Sequence, residues 1–242
     1  GLLWQPIPQL SLFGDYVEGF GLSSLLNSDG SPNTSILAPQ QSRQWEGGMK
    51  ANINDGRLMA TFAWFDITKT NIATPSPDPA LAAQGVQVAT GAVRNRGVDF
   101  DVSGQVTPEF KIIGSFAYID SRITRDNNGN VGHRFYGVPR FGGSLWGVYE
   151  PQLESLKGLS LGAGFVSRSD FELNNANSFT LAGYTTVNIM ARYAFTFEQS
   201  KLSLQLNVNN LLDKTYYQTL GGGGNVLPGA PRAFLGSIKV EF

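Results

Sequence analysis

Cysteine is absent, histidine occurs once, and charge is scarce. Asp, Glu, Lys and Arg make up 15% of the 242 residues, where a soluble domain carries roughly 25%. Without cysteine there is no disulfide framework and no thiolate metal site. The lone His133 has no ligand partners around it and reads as an exposed loop residue. The 18 basic and 19 acidic side chains leave a net charge of −1, so the basic face that nucleic acid demands is missing. No run of about 18 apolar residues is present, which excludes a transmembrane helix. It does not exclude a membrane. A transmembrane barrel alternates apolar and polar residues, and the mean hydropathy of −0.12 is compatible with that. The chain opens Gly1-Leu2-Leu3-Trp4, without an initiator Met or a signal peptide; an exported protein with this sequence is expected to be a fragment of a longer precursor.

What is abundant is aromatic and small: 16 Phe, 8 Tyr, 4 Trp and 29 Gly. The dominant pattern has period two. Leu202, Leu204, Leu206 and Val208 alternate with Ser203, Gln205, Asn207 and Asn209, which puts apolar groups on one face of a strand and polar groups on the other. Val187, Ile189, Ala191 and Tyr193 oppose Thr186, Asn188 and Arg192 in the same way. Trp45, Met49, Ala51 and Ile53 oppose Glu46, Lys50 and Asn52. Ten strands are expected, near 7–20, 42–54, 57–71, 91–105, 110–123, 136–149, 159–171, 182–196, 201–215 and 229–242. In 57–71 and 110–123 both faces look apolar and the facing stays open. Short connections at Asn54-Asp55-Gly56, Val106–Glu109 and Phe197–Ser200 alternate with longer ones near 21–41, 72–90, 124–135, 172–181 and 216–228; the turn at 150–158 is long for its class. Short turns at one end and long loops at the other are the habit of an outer-membrane barrel. The competing all-β reading is a soluble sandwich. Against it stand long strands and polar faces of Asn, Gln, Ser and Arg, which suit a wet bore.

Several motifs need weighing. Gly158-Leu159-Ser160-Leu161-Gly162 fits the nucleophile elbow of serine hydrolases, but that elbow needs a strand-to-helix turn and a later histidine. Ser160 lies inside an alternating strand, and His133 precedes it. Gly221–Gly224 has no phosphate-loop context and reads as a loop tip. Asn33-Thr34-Ser35 fits a glycosylation sequon without meaning in a bacterial export setting. The last strand places Phe234, Ile238, Val240 and Phe242 on one face and Ser237, Lys239 and Glu241 on the other. An alternating strand with a terminal Phe resembles the signal read by the barrel-assembly machinery.

A family resemblance rests on motifs in order along nearly the whole chain. Asn207-Val-Asn-Asn-Leu-Leu-Asp-Lys-Thr-Tyr216-Tyr217, then Pro228-Gly-Ala-Pro231-Arg232, resembles the closing segments of TonB-dependent receptors. Ala38-Pro39 with Ser42-Arg43-Gln44-Trp45-Glu46-Gly47-Gly48-Met49-Lys50 and Arg94-Asn95-Arg96-Gly97-Val98-Asp99-Phe100-Asp101 resemble two of that family's strands, with Asp99 where Glu is usual. Gly137-Val138-Pro139-Arg140 followed by Leu145-Trp146 is similar to a strand of the siderophore branch, with Gly137 where Asn is usual.

The resemblance implies an all-β, antiparallel, up-and-down transmembrane β-barrel in the bacterial outer membrane. Residues 1–242 would be the C-terminal portion of a barrel of twenty-two strands, here strands thirteen to twenty-two, with the plug domain and the earlier strands outside this chain. It implies a receptor that takes up a ferric siderophore, energised by TonB and its inner-membrane complex through the plug, and embedded in outer-membrane lipid. It implies no enzyme, no catalytic residue and no cofactor, because the siderophore itself ligates the iron. Candidate ligand-gripping aromatics near the outer loops are Phe20, Phe135, Tyr136, Phe171, Phe179, Tyr216 and Tyr217; interfacial girdles use the same residue types. Glu46, Lys50, Asp99, Asp101, Arg192, Lys239 and Glu241 are expected to face the bore, where they either meet the plug or solvate the wall. Receptors for cobalamin, haem or glycans, a passive porin-like channel and an outer-membrane hydrolase are the competing readings. Ten strands alone would leave two unpaired edges, costly in lipid.

Overall fold

A computed structural model describes residues 1–21, 37–219 and 225–241. In chain order the elements are β1 (Leu2–Ile7), β2 (Leu10–Gly21), β3 (Gln40–Ile53), β4 (Leu58–Pro75), a short helix α1 (Pro79–Ala83), β5 (Gln87–Thr107), β6 (Phe110–Arg125) and β7 (Phe141–Tyr149). After one 3-10 turn at Glu154–Leu156 follow β8 (Leu159–Arg168), β9 (Phe171–Glu172), β10 (Thr180–Leu181), β11 (Tyr184–Phe197), β12 (Ser200–Asn209), β13 (Tyr217–Thr219), β14 (Val226–Pro228) and β15 (Ala233–Glu241). Eleven of the strands form one antiparallel sheet in the order β1-β2-β3-β4-β5-β6-β7-β8-β11-β12-β15; β9–β10 and β13–β14 are separate pairs. The sheet is up-and-down and open, with β1 and β15 as its edges.

Eleven strands, not ten, is a correction. The expected strand 7–20 straddles the turn at Pro8-Gln9, and β1 precedes it. Pro6 lies within β1 and Pro8 in the turn that follows; proline is tolerated on an edge, where the missing N–H costs no ladder bond, and β1 is an edge. The strand expected from 136 begins only at Phe141, and the one expected to reach 215 ends at Asn209. The loop expected at 72–90 shrinks, because β4 runs to Pro75 and β5 starts at Gln87.

The connections sort by length. One end of the sheet carries Pro8-Gln9, 54–57, Pro108-Glu109, 150–158 and Glu198-Gln199; the other carries every longer segment. At 54–57 the backbone is left-handed at Asn54, Asp55 and Gly56, with φ of 58°, 55° and 81°, so Asn, Asp and Gly are the residues that can close it. The expected 21–41 loop lies mostly outside the described residues, as do the glycines at 221–224, the sequon at Asn33 and the terminal Phe242.

Directly opposed residues share a face. One row reads Lys50, Thr61, Asp101, Ser115, Ser144, Val166, Thr186; the row one residue away reads Met49, Phe62, Phe100, Phe116, Gly143, Ser167, Thr185. The first is called the inner face and the second the outer. This resolves the two ambiguous strands. On β4, Leu58, Phe62 and Trp64 point outward, while Ala63 and Phe65 point inward and are buried. The inner wall is apolar here because rings lie flat on glycines. A Cβ on Gly97 would come within 2.8 Å of Phe65 Cζ, and one on Gly48 within 2.7 Å of Phe13 Cζ.

Among the described residues no second layer packs on the outer face: Leu204, Leu206 and Val240 are exposed and Ile189 is half-buried, so these residues form no sandwich core. Among the described residues the one cluster of buried apolar side chains is Phe171, Leu173 and Leu181, and it sits in the loops.

Candidate functional site

All seven side chains expected to line a bore lie on the inner face. Glu46, Lys50, Asp99 and Asp101 sit on β3 and β5, Arg192 on β11, and Lys239 and Glu241 on β15, all at the same parity of the ladder. Gln44 Nε2 donates to Glu46 Oε2 at 2.6 Å. The Lys50 ammonium stands 5.2 Å over the Phe13 ring, and Lys239 pairs with Glu241.

Near the short-turn end a charged cluster anchors the unusually long 150–158 turn. Lys111 Nζ reaches Glu150 Oε2 at 2.6 Å, Arg192 Nη2 reaches Glu150 Oε1 at 3.2 Å, and Arg192 Nη2 donates to Ser160 Oγ at 3.0 Å. Ser160, the serine of the hydrolase-like motif, is 3% exposed and bonded to Glu150 and Arg192. The hydrogen bond from Lys111 holds the Glu150 carboxyl below its ordinary range against the opposing effect of burial, helped by the Lys111 charge, Ser160 and Arg192. A carboxyl depressed in the folded state adds stability above its unfolded pKa and loses that stability as pH falls through the folded one. Acidification below the usual carboxylate range is therefore expected to lower the urea midpoint of the wild type more steeply than that of Glu150→Gln. Parallel pH profiles would show that the cluster holds nothing.

At the long-loop end, segment 126–140 is clamped onto the β8–β11 connection. Arg134 Nη1 meets Asp170 Oδ2 at 2.9 Å and Glu172 Oε1 at 3.2 Å, and Nη2 donates to the Asp170 carbonyl at 2.8 Å. Asn177 reads the Arg134 backbone from both sides, its Oδ1 accepting from the amide and its Nδ2 donating to the carbonyl, each at 2.9 Å. His133 Nδ1 lies 3.0 Å from the Asn175 carbonyl, so it is a loop strut. Phe171 is 1% exposed, packed with Leu173 and Leu181 beneath the Arg168 guanidinium at 5.3 Å.

Beside this clamp, the Tyr184 and Tyr216 rings lie 4.2 Å apart. Tyr184 shares the inner face with Arg168, directly opposite it. Tyr216 is backed by Gly229, where a Cβ would come within 2.2 Å of its ring. The Asn210-Leu-Leu-Asp-Lys turn fixes this pair. Asn210, 4% exposed with φ 50°, donates from Nδ2 to the Lys214 and Ala230 carbonyls at 3.0 and 3.1 Å. Its Oδ1 accepts from the Lys214 amide at 2.8 Å, and its own amide donates to Asn188 Oδ1 at 2.8 Å. The Arg232 amide donates to Asp213 Oδ1 at 3.0 Å.

The expected aromatics thus scatter. Tyr216 joins Tyr184 at the rim, with Tyr217 exposed beside it on β13. Phe135 and Tyr136 pack on each other at 4.7 Å. Phe179 is exposed on the loop. Phe20 shares the outer face with Tyr16 and Trp45, away from the rim's interior. Phe171 is buried in the loop cluster with Leu173 and Leu181. Arg168 and Tyr184 were missed, although the parity of Thr186, Asn188 and Arg192 already placed Tyr184 on the polar face. Phe234, Ile238 and Val240 share the outer face of the edge strand β15. Among the described residues no group of three or more His, Asp or Glu side chains could hold a metal ion. Arginine and tyrosine around an open rim can instead grip a bulky, polar, preformed ligand.

Comparison with known proteins agrees with this geometry. The profile of the family described as "TonB dependent receptor-like, beta-barrel" matches residues 1–211. The chain is 35% identical over its whole length to the metal-pseudopaline receptor of Pseudomonas aeruginosa, covering 33% of that protein. It is 29% identical over 87% of its length to the ferrioxamine B receptor of Salmonella typhimurium, covering 29% of it. The ferric preacinetobactin receptor BauA of Acinetobacter baumannii superposes with a TM-score of 0.83 at 26% identity, over 99% of this chain and 35% of that one. The chain spans about a third of the length of the curated relatives it matches. The open sheet, its sorted connections and the profile match converge: this chain belongs to the TonB-dependent receptor β-barrel family, whose members are outer-membrane receptors.

Proposed function

We propose that the receptor containing this chain imports a metal chelate, in the first instance a ferric siderophore, across the outer membrane with energy delivered through TonB. Residues 1–242 serve as a C-terminal part of its barrel wall; other strands and a plug, outside this chain, complete it. The observation that carries the reading is the rim made by Arg168, Tyr184 and Tyr216, on the same face as the polar bore lining and on a family barrel. Relatives and solved neighbours that take ferrioxamine, ferrichrome and pyoverdine support it. No bond in the ligand needs to break, so the chain acts without catalysis. Glu46, Asp99, Asp101 and Lys50 offer the plug a polar wall, and Phe234, Ile238 and Val240 offer the assembly machinery its apolar stripe.

One observation favours a second reading. The relative at 35% identity is a receptor for metal-pseudopaline, so the chelated metal need not be iron. Uptake by cells carrying the full-length receptor, compared across ferrioxamine, ferrichrome, ferripyoverdine and metal-pseudopaline, separates the two. Uptake of none of these would remove both.

Tyr184→Ala in the full-length receptor is expected to weaken binding of the transported chelate about tenfold, in line with the ~0.5–1.5 kcal/mol of an aromatic contact beyond its area. Tyr184→Phe keeps the stack on Tyr216 and should bind within about twofold of wild type on the same scale. Equal affinity in all three proteins would make the ring pair a wall element only.

A further inference from the structure

The rim carries more positive charge than its own carboxylates neutralise. Arg168 stands on the inner face, with Gly142 directly opposite on one side and Tyr184 on the other. Its guanidinium rests 5.3 Å over the Phe171 ring, which is 1% exposed and fixed in the loop cluster. The ladder continues beyond β7: the Ile119 amide donates to the Arg140 carbonyl at 2.9 Å, and the Ser169 amide to the Phe141 carbonyl at 2.8 Å. Two residues before Gly142, Arg140 therefore shares the inner face, and it is exposed. Arg140 and Arg168 are diagonal neighbours, roughly 7–8 Å apart at the backbone. The place beside them is open, because a Cβ on Gly142 would meet nothing within 4 Å.

The neighbouring carboxylates are committed to a third arginine. Arg134 pairs with Asp170 at 2.9 Å and with Glu172 at 3.2 Å, and Glu172 Oε2 also accepts from Thr180 Oγ1 at 2.9 Å. Asp170 attracts Arg168 and Arg140 through space as well. Two carboxylates against three guanidinia still leave one positive charge over. Arg140 and Arg168 make no ion pair or side-chain hydrogen bond among the described residues. The hydroxyls of Tyr184 and Tyr216 likewise have no hydrogen-bond partner among them. Two guanidinia this close repel each other, and an anion between them relieves the repulsion.

We infer that Arg140 and Arg168 select, among metal chelates, those that are net anionic and carry carboxylates not used on the metal. This rests on the transport reading above and narrows it to one ligand class. A free carboxylate takes the Arg168 fork in two parallel N–H···O bonds, over the open place at Gly142. The body of the chelate packs on the Tyr184–Tyr216 pair, whose hydroxyls donate to its remaining oxygens. Arg140 meets a second carboxylate. A neutral hydroxamate chelate reaches the tyrosines but gives the guanidinia nothing to hold, and a cationic one is repelled. Lysine at 168 would keep the charge and lose the fork.

The test measures equilibrium binding to the purified full-length receptor, and uptake by cells with and without TonB. The probes are ferric citrate and ferric aerobactin, anionic with free carboxylates, against the hydroxamates ferrichrome, neutral, and ferrioxamine B, cationic. At least one carboxylate chelate should bind about tenfold more tightly than either hydroxamate, the scale of one charge-assisted hydrogen bond, and this advantage should shrink as salt rises. Arg168→Gln should weaken the carboxylate chelates about tenfold on the same scale and leave the hydroxamates unchanged, while Arg168→Lys recovers part of the loss. Arg140→Gln, at an exposed position, serves if the Arg168 variants do not assemble. Hydroxamates bound as tightly as the carboxylate chelates, or carboxylate binding untouched by both glutamine variants, would overturn the inference. Arginine-dependent, carboxylate-selective binding without TonB-dependent uptake would sink the transport reading and leave the selectivity standing. Binding of none of the four would remove both.

Discussion

Phe62→Arg in the full-length receptor is expected to lower the stability of the folded barrel by about 2–4 kcal/mol, the cost of a cation on the lipid face near the bilayer midplane. Its neighbour Thr61→Arg should change stability by under ~1 kcal/mol on the same scale. The two positions are adjacent in sequence and differ only in parity. Phe62 stands on the outer face, between Leu58 near the short-turn end and Trp64. Thr61 stands in the inner row, between Lys50 and Asp101, where a new guanidinium finds a carboxylate in an aqueous bore. Urea unfolding in lipid vesicles reads the difference. Equal losses at both sites would mean that neither face meets hydrocarbon, and the membrane assignment of this wall would fall with it. The mechanism makes the asymmetry steep: hydrocarbon offers the guanidinium no hydrogen-bond partner, so the group must snorkel or remain unsatisfied.

That parity was legible in the sequence wherever one face is strictly polar. β12 alternates throughout Leu202–Asn209 and β3 over Trp45–Ile53 with only Gly47 and Gly48 interrupting, and the structure keeps their facing. β4 and β6 could not be read because the inner face of each carries apolar groups too. On β4 these are Ala63 and Phe65, and Phe65 lies against Gly97 across the ladder; on β6 they are Ile113, Ala117, Ile119 and Ile123. β1 was missed because Leu2-Leu3-Trp4-Gln5-Pro6-Ile7 does not alternate apolar with polar residues. The late start of β7 follows from Gly137, whose φ of 74° interrupts the run that Tyr136 and Val138 suggest. Least legible was the rim. The Arg134–Asn177 clamp joins residues 43 apart in sequence, and Phe171 looked like any exposed loop aromatic until its neighbours Leu173 and Leu181 came together across the β9–β10 pair. Tyr184, by contrast, lay on the polar parity of β11 and could have been found by extending that alternation two residues toward the loop end.

The Asn210 turn explains why a polar motif near the end of the chain serves the rim without touching a ligand. Asn210→Ala is expected to cost about 3–5 kcal/mol. It removes the three hydrogen bonds to the Lys214 and Ala230 carbonyls and from the Lys214 amide, at ~0.5–1.5 kcal/mol each, and it replaces an asparagine, which tolerates the left-handed region, by a residue that does not, at ~1–2 kcal/mol. Asn210→Gly removes the side chain but keeps the backbone at ease, so the difference between the two variants isolates the left-handed cost. Both lose the weld between the end of β12 and residues 228–232, and Gly229 carries the surface against which Tyr216 rests on Tyr184. Chelate affinity should therefore fall in both variants while the remaining strands stay paired, and proteolysis should cut first within 211–232. Wild-type affinity in Asn210→Gly, with that segment still protected, would mean that β13 and β14 hold the tyrosine pair by themselves. The motif would then serve only to end β12. The structure argues otherwise, because the Asn210 side chain bridges the two sides of the loop, Lys214 and Ala230, and the amide of the same residue fastens that bridge to Asn188 on β11.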